Sequence, residues 1–419
     1  MPKLRLVALA TAAALPLALG VASADKAKVV IADYFTSGTN FDVMDGLVKA
    51  FAAQNPDLDV VHQTYPYNDL VSGKMLTLLL NNEAPTVFLM PNVYSLDYAG
   101  RGFLQDLSGM IKTSAWVHQD FIQPVIDSNK GALGEIWGIP QGMQMVAVYI
   151  NTTMLSNAGL SYPDVGWTWD NFADMAKKMT QKDAAGKVSV FGASMTPGYA
   201  YAGWSMYRSL GGQAFSDNGR KSAIDNQHMI DTIQYIHDGV QSGYFQDSGD
   251  AGLVKEAMAP MQYWDVTALK QAKVPFDVAP LPNGPNGRFA PTVANSWVMT
   301  KSAAPAAQQA AWRWIEFYSD LGPQVKWALE GDAAPANSRA ASQVFNKANT
   351  DPAHLKVFVQ EMNNVDWIGN NPMWNDWFFT ALGKNLDLGV KGTKSVLEAV
   401  KTADHAAQVM LDDYYAKQG

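Results

Sequence analysis

The sequence contains no cysteine. That excludes disulfide bonds, thiolate metal sites, a cysteine nucleophile and lipid modification of an N-terminal cysteine. Charge is sparse as well: Asp, Glu, Lys and Arg make up 17% of the chain, with 31 basic residues against 39 acidic ones and a formal net charge of −8. No basic stripe survives in that balance, which argues against nucleic acid as a partner. Strong catalytic signatures are missing too. There is no G-x-S-x-G elbow, phosphate-binding P-loop, H-E-x-x-H or G-x-G-x-x-G. The six histidines, His62, His118, His228, His237, His354 and His405, are scattered without ligand-like spacing, so no metal and no cofactor is expected. Carboxylates are plentiful, and their number alone leaves a glycosidase-type pair open. Nothing in the sequence brings two of them together, and Asp412-Asp413 belongs to a solvated helix face.

What is present begins with the N-terminus. Lys3 and Arg5 precede an apolar stretch from Leu6 to Leu19, and Ala22-Ser23-Ala24 supplies a small-x-small pattern. This predicts a signal peptide over residues 1–24, cleaved near Ala24, and an exported protein. No comparable apolar run follows, and with no lipid anchor the expected compartment is a periplasm. Loss of Lys3 and Arg5 makes the mature chain two units more negative. At 419 residues the chain exceeds the size at which single cores stop growing, so two domains are expected. The 13 Trp and 16 Tyr offer flat apolar faces with a polar edge, suited to stacking on the C–H faces of sugar rings.

Along the chain, KVVIADYF from Lys28 reads as a strand. A helix follows from Asp42, with Val43, Met44, Leu47, Val48 and Phe51 on one face and Asn55-Pro56 as its stop. LDVVHQTY reads as a strand, Leu70 to Leu80 as a helix, and TVFLM at 86–90 as a short buried strand. This alternation predicts α/β architecture, with a parallel sheet covered by helices on both faces. The second region repeats the grammar: Thr168 caps a helix, KVSVFGAS and FDVAPLP are strands, and helices start at Ala303 and near Lys394. GEIWGIPQGMQMVAVYIN, residues 134–151, is different. Gln141 and Gln144 interrupt what otherwise reads as a buried strand, which predicts a strand crossing between domains with both glutamines facing the cleft.

Several stretches together resemble a family. Gly134, Gly138, Pro140 and Asn151 match the G-x-x-x-G-x-P…Y-x-N crossover of the extracellular solute-binding proteins of sugar-importing ABC transporters, the group containing maltose-binding protein and the glycerol-phosphate binder. FAAQNPDLDVV, GWTWDNFADMAKKMT, EAMAPMQYW, FDVAPLPNGPNG and ANSWVMTKSAAPAAQQAAWRWIEF follow in the order and spacing of that family. The resemblance implies a periplasmic binding protein fold, with two discontinuous α/β domains closing on one ligand in the cleft between them. The N-terminal lobe would comprise 25–145 plus 298–343 and the C-terminal lobe 146–297 plus 344–419, with crossings near 145, 297 and 343. It implies a monomer that captures a carbohydrate, either a neutral mono- or oligosaccharide, a polyol or a glycoside, and delivers it to a membrane permease without catalysis. A secreted glycan-active enzyme and a chemosensory binding protein of the same fold are the alternatives.

The resemblance also nominates ligand-binding residues. Tyr34, Thr36 and Ser37 follow the first strand, Asn92 and Tyr94 follow TVFLM at the carboxyl edge of the sheet, and Gln144 stands just before the first crossing. Tyr199, Tyr201 and Trp204 fall where maltose-binding protein supplies an acidic residue and aromatics; the acidic residue is absent, which puts maltose in doubt. Trp264 aligns with the family's main stacking tryptophan. Asn295 and Trp297 occupy the second crossing, where a bulky Trp would narrow the pocket. Trp367, Trp374 and Trp377 lie in WIGNNPMWNDW. Trp377 resembles a second stacking aromatic, and Trp367 replaces an arginine of the glycerol-phosphate binder, which argues against a phosphorylated ligand. Arg339, near the third crossing, would grip a hydroxyl or carboxylate as a planar fork.

Overall fold

The computed structural model describes residues 26–71, 73–114, 120–131, 133–195, 202–246, 256–347, 350–367 and 371–417. Its main strands are β1 (Ala27–Asp33), β2 (Leu58–Thr64), β3 (Val87–Pro91), β4 (Ile139–Gln144) and β5 (Val146–Asn151). Six short ones follow: β6 (Gln181–Lys182) pairs β7 (Val188–Val190), β8 (Ala193–Ser194) pairs β11 (Phe245–Gln246), and β9 (Phe215–Ser216) pairs β10 (Lys221–Ser222). The last four are β12 (Met258–Gln262), β13 (Phe276–Ala279), β14 (Ala290–Met299) and β15 (Val365–Trp367).

The first sheet runs β15-β14-β3-β1-β2, with β4 added on β14. β1 lies parallel to β2 and β3, as the strand–helix alternation requires. The helix Gly38–Gln54 covers it with Val43, Met44, Leu47, Val48 and Phe51, the five residues its spacing marks as a face. Burying such side chains contributes roughly 1.5–3 kcal/mol each. The segment from Leu70 to Leu80 is divided between Tyr67–Val71 and Gly73–Leu80.

The second core sheet, β12-β5-β13, departs from expectation. Both neighbours of β5 run antiparallel to it. β5 enters this sheet directly from β4, with Met145 as the sole residue between the two strands. Its direction is therefore set by the crossing rather than by a local strand–helix–strand unit. KVSVFGAS contributes only the short β7 and β8, and FDVAPLP ends as a strand at Ala279, before Pro280. β14 spans three apolar clusters: Ala290 and Val293 pack in one, Val298 in a second, and Ala294, Trp297 and Met299 in a third that also takes in Met145 and Tyr149. Thr168 caps the helix Trp169–Met179 reciprocally with Asn171.

Candidate functional site

A cavity of about 410 Å³ opens where these passages meet. β1 delivers Tyr34 at its carboxyl end, the short helix Tyr67–Val71 brings Tyr67, and Pro91 of β3 leads into Val93 and Tyr94 of the helix Asn92–Gly100. Gln144 ends β4, and Val293 and Asn295 point in from β14. The opposite wall comes from two later stretches of the chain. It consists of Trp264 at the start of the helix Tyr263–Gln271, and Trp374, Asn375 and Phe379 at the π-helical segment Asp376–Gly383. A π-helix is rare and concentrates at functional sites, because its wide turn re-aims side chains that an α-helix would stagger.

Among the described residues, several polar atoms of this cavity have no hydrogen-bond partner. Gln144 donates through Nε2 to the backbone carbonyl of Asp332 at 3.1 Å, but its Oε1 is buried and accepts nothing. Asp332 Oδ2 accepts from Asn40 Nδ2 at 2.9 Å, while its Oδ1 has no partner. Trp374 Nε1 and Asn375 Nδ2 likewise make no hydrogen bond. An unpaired buried polar atom costs about 1–3 kcal/mol, and these four, shared between the two walls, stand where a molecule entering the cavity can pair with them. Asp332 is the single charged lining residue among the described residues, and burial pushes its carboxyl up to about 7. Burial also raises the phenols of Tyr34 and Tyr94, so both stay neutral hydroxyl groups. The Trp264 indole is held by a hydrogen bond to Asp265, whose carboxyl burial pushes up to about 6.

Of the residues nominated from sequence, Tyr34, Tyr94, Gln144, Trp264, Asn295 and Trp374 line this cavity. Others stand elsewhere, for identifiable reasons. Thr36 and Ser37 are exposed where the chain turns into the helix Gly38–Gln54. Asn92 is buried, with Oδ1 accepting from Ala294 N at 3.0 Å, so it ties the helix Asn92–Gly100 to β14. Trp297 faces inward from β14, with no exposure, and packs its ring 5.2 Å from Trp314 and 5.4 Å from Tyr318. It fills the first lobe's core and does not narrow the pocket. Gln141 also turns into that core, donating to Tyr318 Oη at 2.6 Å, so only one of the two glutamines faces the cleft. Trp377 is fully buried in an aromatic cluster with Trp204, Phe215 and Trp374. Arg339 is exposed and paired with Asp120 at 2.6 Å, away from the cavity. Trp367 belongs to β15, opposite Thr292. Tyr199 and Tyr201 lie outside the described residues.

The sequence reading missed Tyr67, Pro91, Val93, Val293, Asp332, Asn375 and Phe379. Asn375 sits inside the stretch WIGNNPMWNDW, and Asp332 opens DAAPANSR, so both were near recognised segments. A second cavity, of about 560 Å³, lies beside Trp204, Arg208, Phe215, Asp366 and Trp374. Its carboxylate is already satisfied: Asp366 accepts from Arg208 Nε at 2.9 Å, Arg208 NH2 at 3.2 Å and Trp204 Nε1 at 3.1 Å.

Residues 36–325 match the family model of the bacterial extracellular solute-binding proteins. The chain belongs to this family. This solute-binding protein is similar to the arabinooligosaccharide-binding protein of Halalkalibacterium halodurans, with 24% identity over 48% of this chain and 44% of the relative. It is similar to the maltodextrin-binding protein of Bacillus subtilis, with 23% identity over 52% of this chain and 54% of the relative. The alignments thus span about half the length of these two curated relatives. Among solved structures, an ABC substrate-binding protein of Listeria monocytogenes in complex with cycloalternan superposes with a TM-score of 0.80 at 20% identity, covering 93% of this chain and 100% of that one. At that identity the likeness establishes the fold alone, which is that of the periplasmic binding proteins. A family named for extracellular solute binding implies an exported protein.

Proposed function

We propose that this protein is the substrate-binding component of an ABC importer, which captures a neutral carbohydrate in the 410 Å³ cleft and delivers it to a membrane permease. The observation that carries the reading is the pairing of flat aromatic faces, Trp264, Trp374, Tyr34 and Tyr94, with four unpartnered polar atoms spread over the cavity walls. Sugars present that combination: apolar C–H faces bounded by hydroxyls that both donate and accept. The ligand contacts in this reading are Tyr34, Tyr94, Gln144, Trp264, Asn295 and Trp374, joined by Tyr67, Asp332 and Asn375. Oligosaccharides appear in the names of the relatives, which favours an oligosaccharide over a polyol.

Capture follows from a population shift. The open cleft receives the sugar on one lobe, and closure around the passages at Met145 and β14 adds contacts from the other. A missing or inverted hydroxyl leaves a buried polar atom unpaired, at about 1–3 kcal/mol, and specificity arises there. A glycan-active enzyme of the usual kind needs two carboxylates flanking the scissile bond, and Asp332 is the single acidic lining residue among those described, which favours binding without catalysis. The protein acts as a periplasmic monomer after removal of residues 1–24. The testing experiment is tryptophan fluorescence and thermal shift against a panel of sugars, polyols and glycerol phosphates. A ligand that raises Tm and returns unaltered supports the proposal; a cleaved glycan, or silence across the panel, overturns it.

A further inference from the structure

Among the described residues, the cleft is lined by one ionisable carboxyl and by no cation to answer it. Asp332 lies between the helices Leu321–Glu330 and Ser338–Phe345. Two contacts fix its position across the fold. Asn40, on the helix Gly38–Gln54, donates to Oδ2, and Gln144, at the end of β4, donates to the Asp332 backbone carbonyl. Oδ1 remains, buried in the cavity wall without a hydrogen bond. The titratable groups that face it are Tyr34, after β1, and Tyr318, on the helix Pro305–Ser319, with Asp33 behind them. Both phenols are held neutral by burial, and Asp33 is paired with His62 at 2.8 Å. No Lys, Arg or His lines the cavity among the described residues.

An ionised carboxylate in that setting lacks the solvation water would give it, and hydrogen bonds from its own backbone N–H and from Asn40 do not replace it. Burial accordingly pushes the group up to about 7. A sugar hydroxyl donating to Oδ1 changes the balance, because hydrogen bonds to an ionised acceptor are about twice as strong as neutral ones. An anionic ligand would have the opposite effect, setting two negative charges in one enclosed space.

We propose that Asp332 is the specificity-determining acceptor of the cleft, protonated in the ligand-free protein and ionised when a non-anionic, hydroxyl-rich ligand donates to Oδ1, so that capture releases a proton. This rests on the carbohydrate-binding reading above and adds a linkage that reading does not require. The proton leaves the carboxyl for bulk buffer, and no covalent bond of the ligand changes.

The test is titration calorimetry of the intact protein with maltotriose, arabinotriose, mannotriose and xylitol, in phosphate and in Tris. These buffers differ in ionisation heat, so the difference counts protons. With a free carboxyl titrating near 7, about 0.9 of a proton is released at pH 6 and about 0.1 at pH 8, and Kd tightens about tenfold between them. Asp332→Asn keeps the shape and abolishes both effects. Should that variant fold poorly, Asn40→Ala serves instead: loss of the donor to Oδ2 raises the carboxyl further and moves the bend in affinity to higher pH. Binding with no proton release in the wild type, or with release preserved in Asp332→Asn, overturns this inference and leaves the binding reading intact. If none of the four probes binds, the carbohydrate reading falls and the inference with it.

Discussion

Trp264 and Trp297 look alike in the sequence, each a tryptophan nominated to meet the ligand, and the structure assigns them opposite duties. Trp264 is partly buried on the cavity wall, anchored through its indole N–H to Asp265. Trp297 is wholly enclosed between Trp314 and Tyr318. Replacing Trp264 with Ala removes one stacking face. A sugar ring covering one face of an indole buries about 80 Å² of it, a fraction of the 150–250 Å² that a whole aromatic side chain can bury. At about 25 cal/mol per Å² this is about 2 kcal/mol, or about a thirtyfold rise in Kd. Because the residue is only partly buried, Tm should change little. Trp297→Ala instead empties a core position, at about 3–5 kcal/mol, lowering Tm by roughly 10 °C. The folded fraction should keep its affinity. The assay is calorimetric binding of a sugar identified by thermal shift, alongside thermal unfolding of each variant, with Trp264→Phe to restore a face and Trp297→Phe to spare the fold. Unchanged affinity in Trp264→Ala, or a tenfold loss in a folded Trp297→Phe, would refute the division of roles.

Other consequences follow from particular contacts. Gly142 sits in β4 where an added Cβ would lie 2.7 Å from Ala333 Cβ and 3.0 Å from the Ala334 carbonyl, so Gly142→Ala should cost roughly 1–3 kcal/mol in denaturant unfolding. It should also weaken ligand binding, because the strand ends at Gln144. Arg339→Ala removes an exposed pair with Asp120 and should change stability by less than about 1 kcal/mol and affinity not at all, measured by the same titrations. The Asp332 carboxyl is raised in the folded state above its unfolded value, so its burial destabilises the fold increasingly as pH climbs from about 4 to about 7. Asp332→Asn should therefore match the wild type in Tm near pH 4 and exceed it at pH 8. Equal Tm values at both pH values would show that the carboxyl is solvated.

Periodicity and turn residues were enough to mark the first lobe. The apolar face of Gly38–Gln54, the Thr168 cap and the short buried strand ending at Pro91 are local patterns, written in side chains three, four or two positions apart. The glutamine before the crossing and the aromatic-rich tail were legible for the same reason, since a polar or bulky residue interrupting a regular run is visible without coordinates. What the sequence alone could not decide was direction. On β14, Asn295 meets the cleft and Trp297, two residues on and on the same face of the strand, meets the core. β14 keeps an unbroken register with β3 there, so what separates the two is what covers that face: the cavity at Asn295, Trp314 and Tyr318 at Trp297. Gln141 and Gln144 part in the same way, one to Tyr318 and one to the cavity. Asp332 was invisible for a different reason. Its significance comes from Asn40, 292 positions away, and from the lack of a cation among the described residues lining the cavity. Local sequence determined which elements form and which residue types were at hand; long-range pairing decided which of those side chains share the cavity, because only the folded chain fixes what each polar atom can reach.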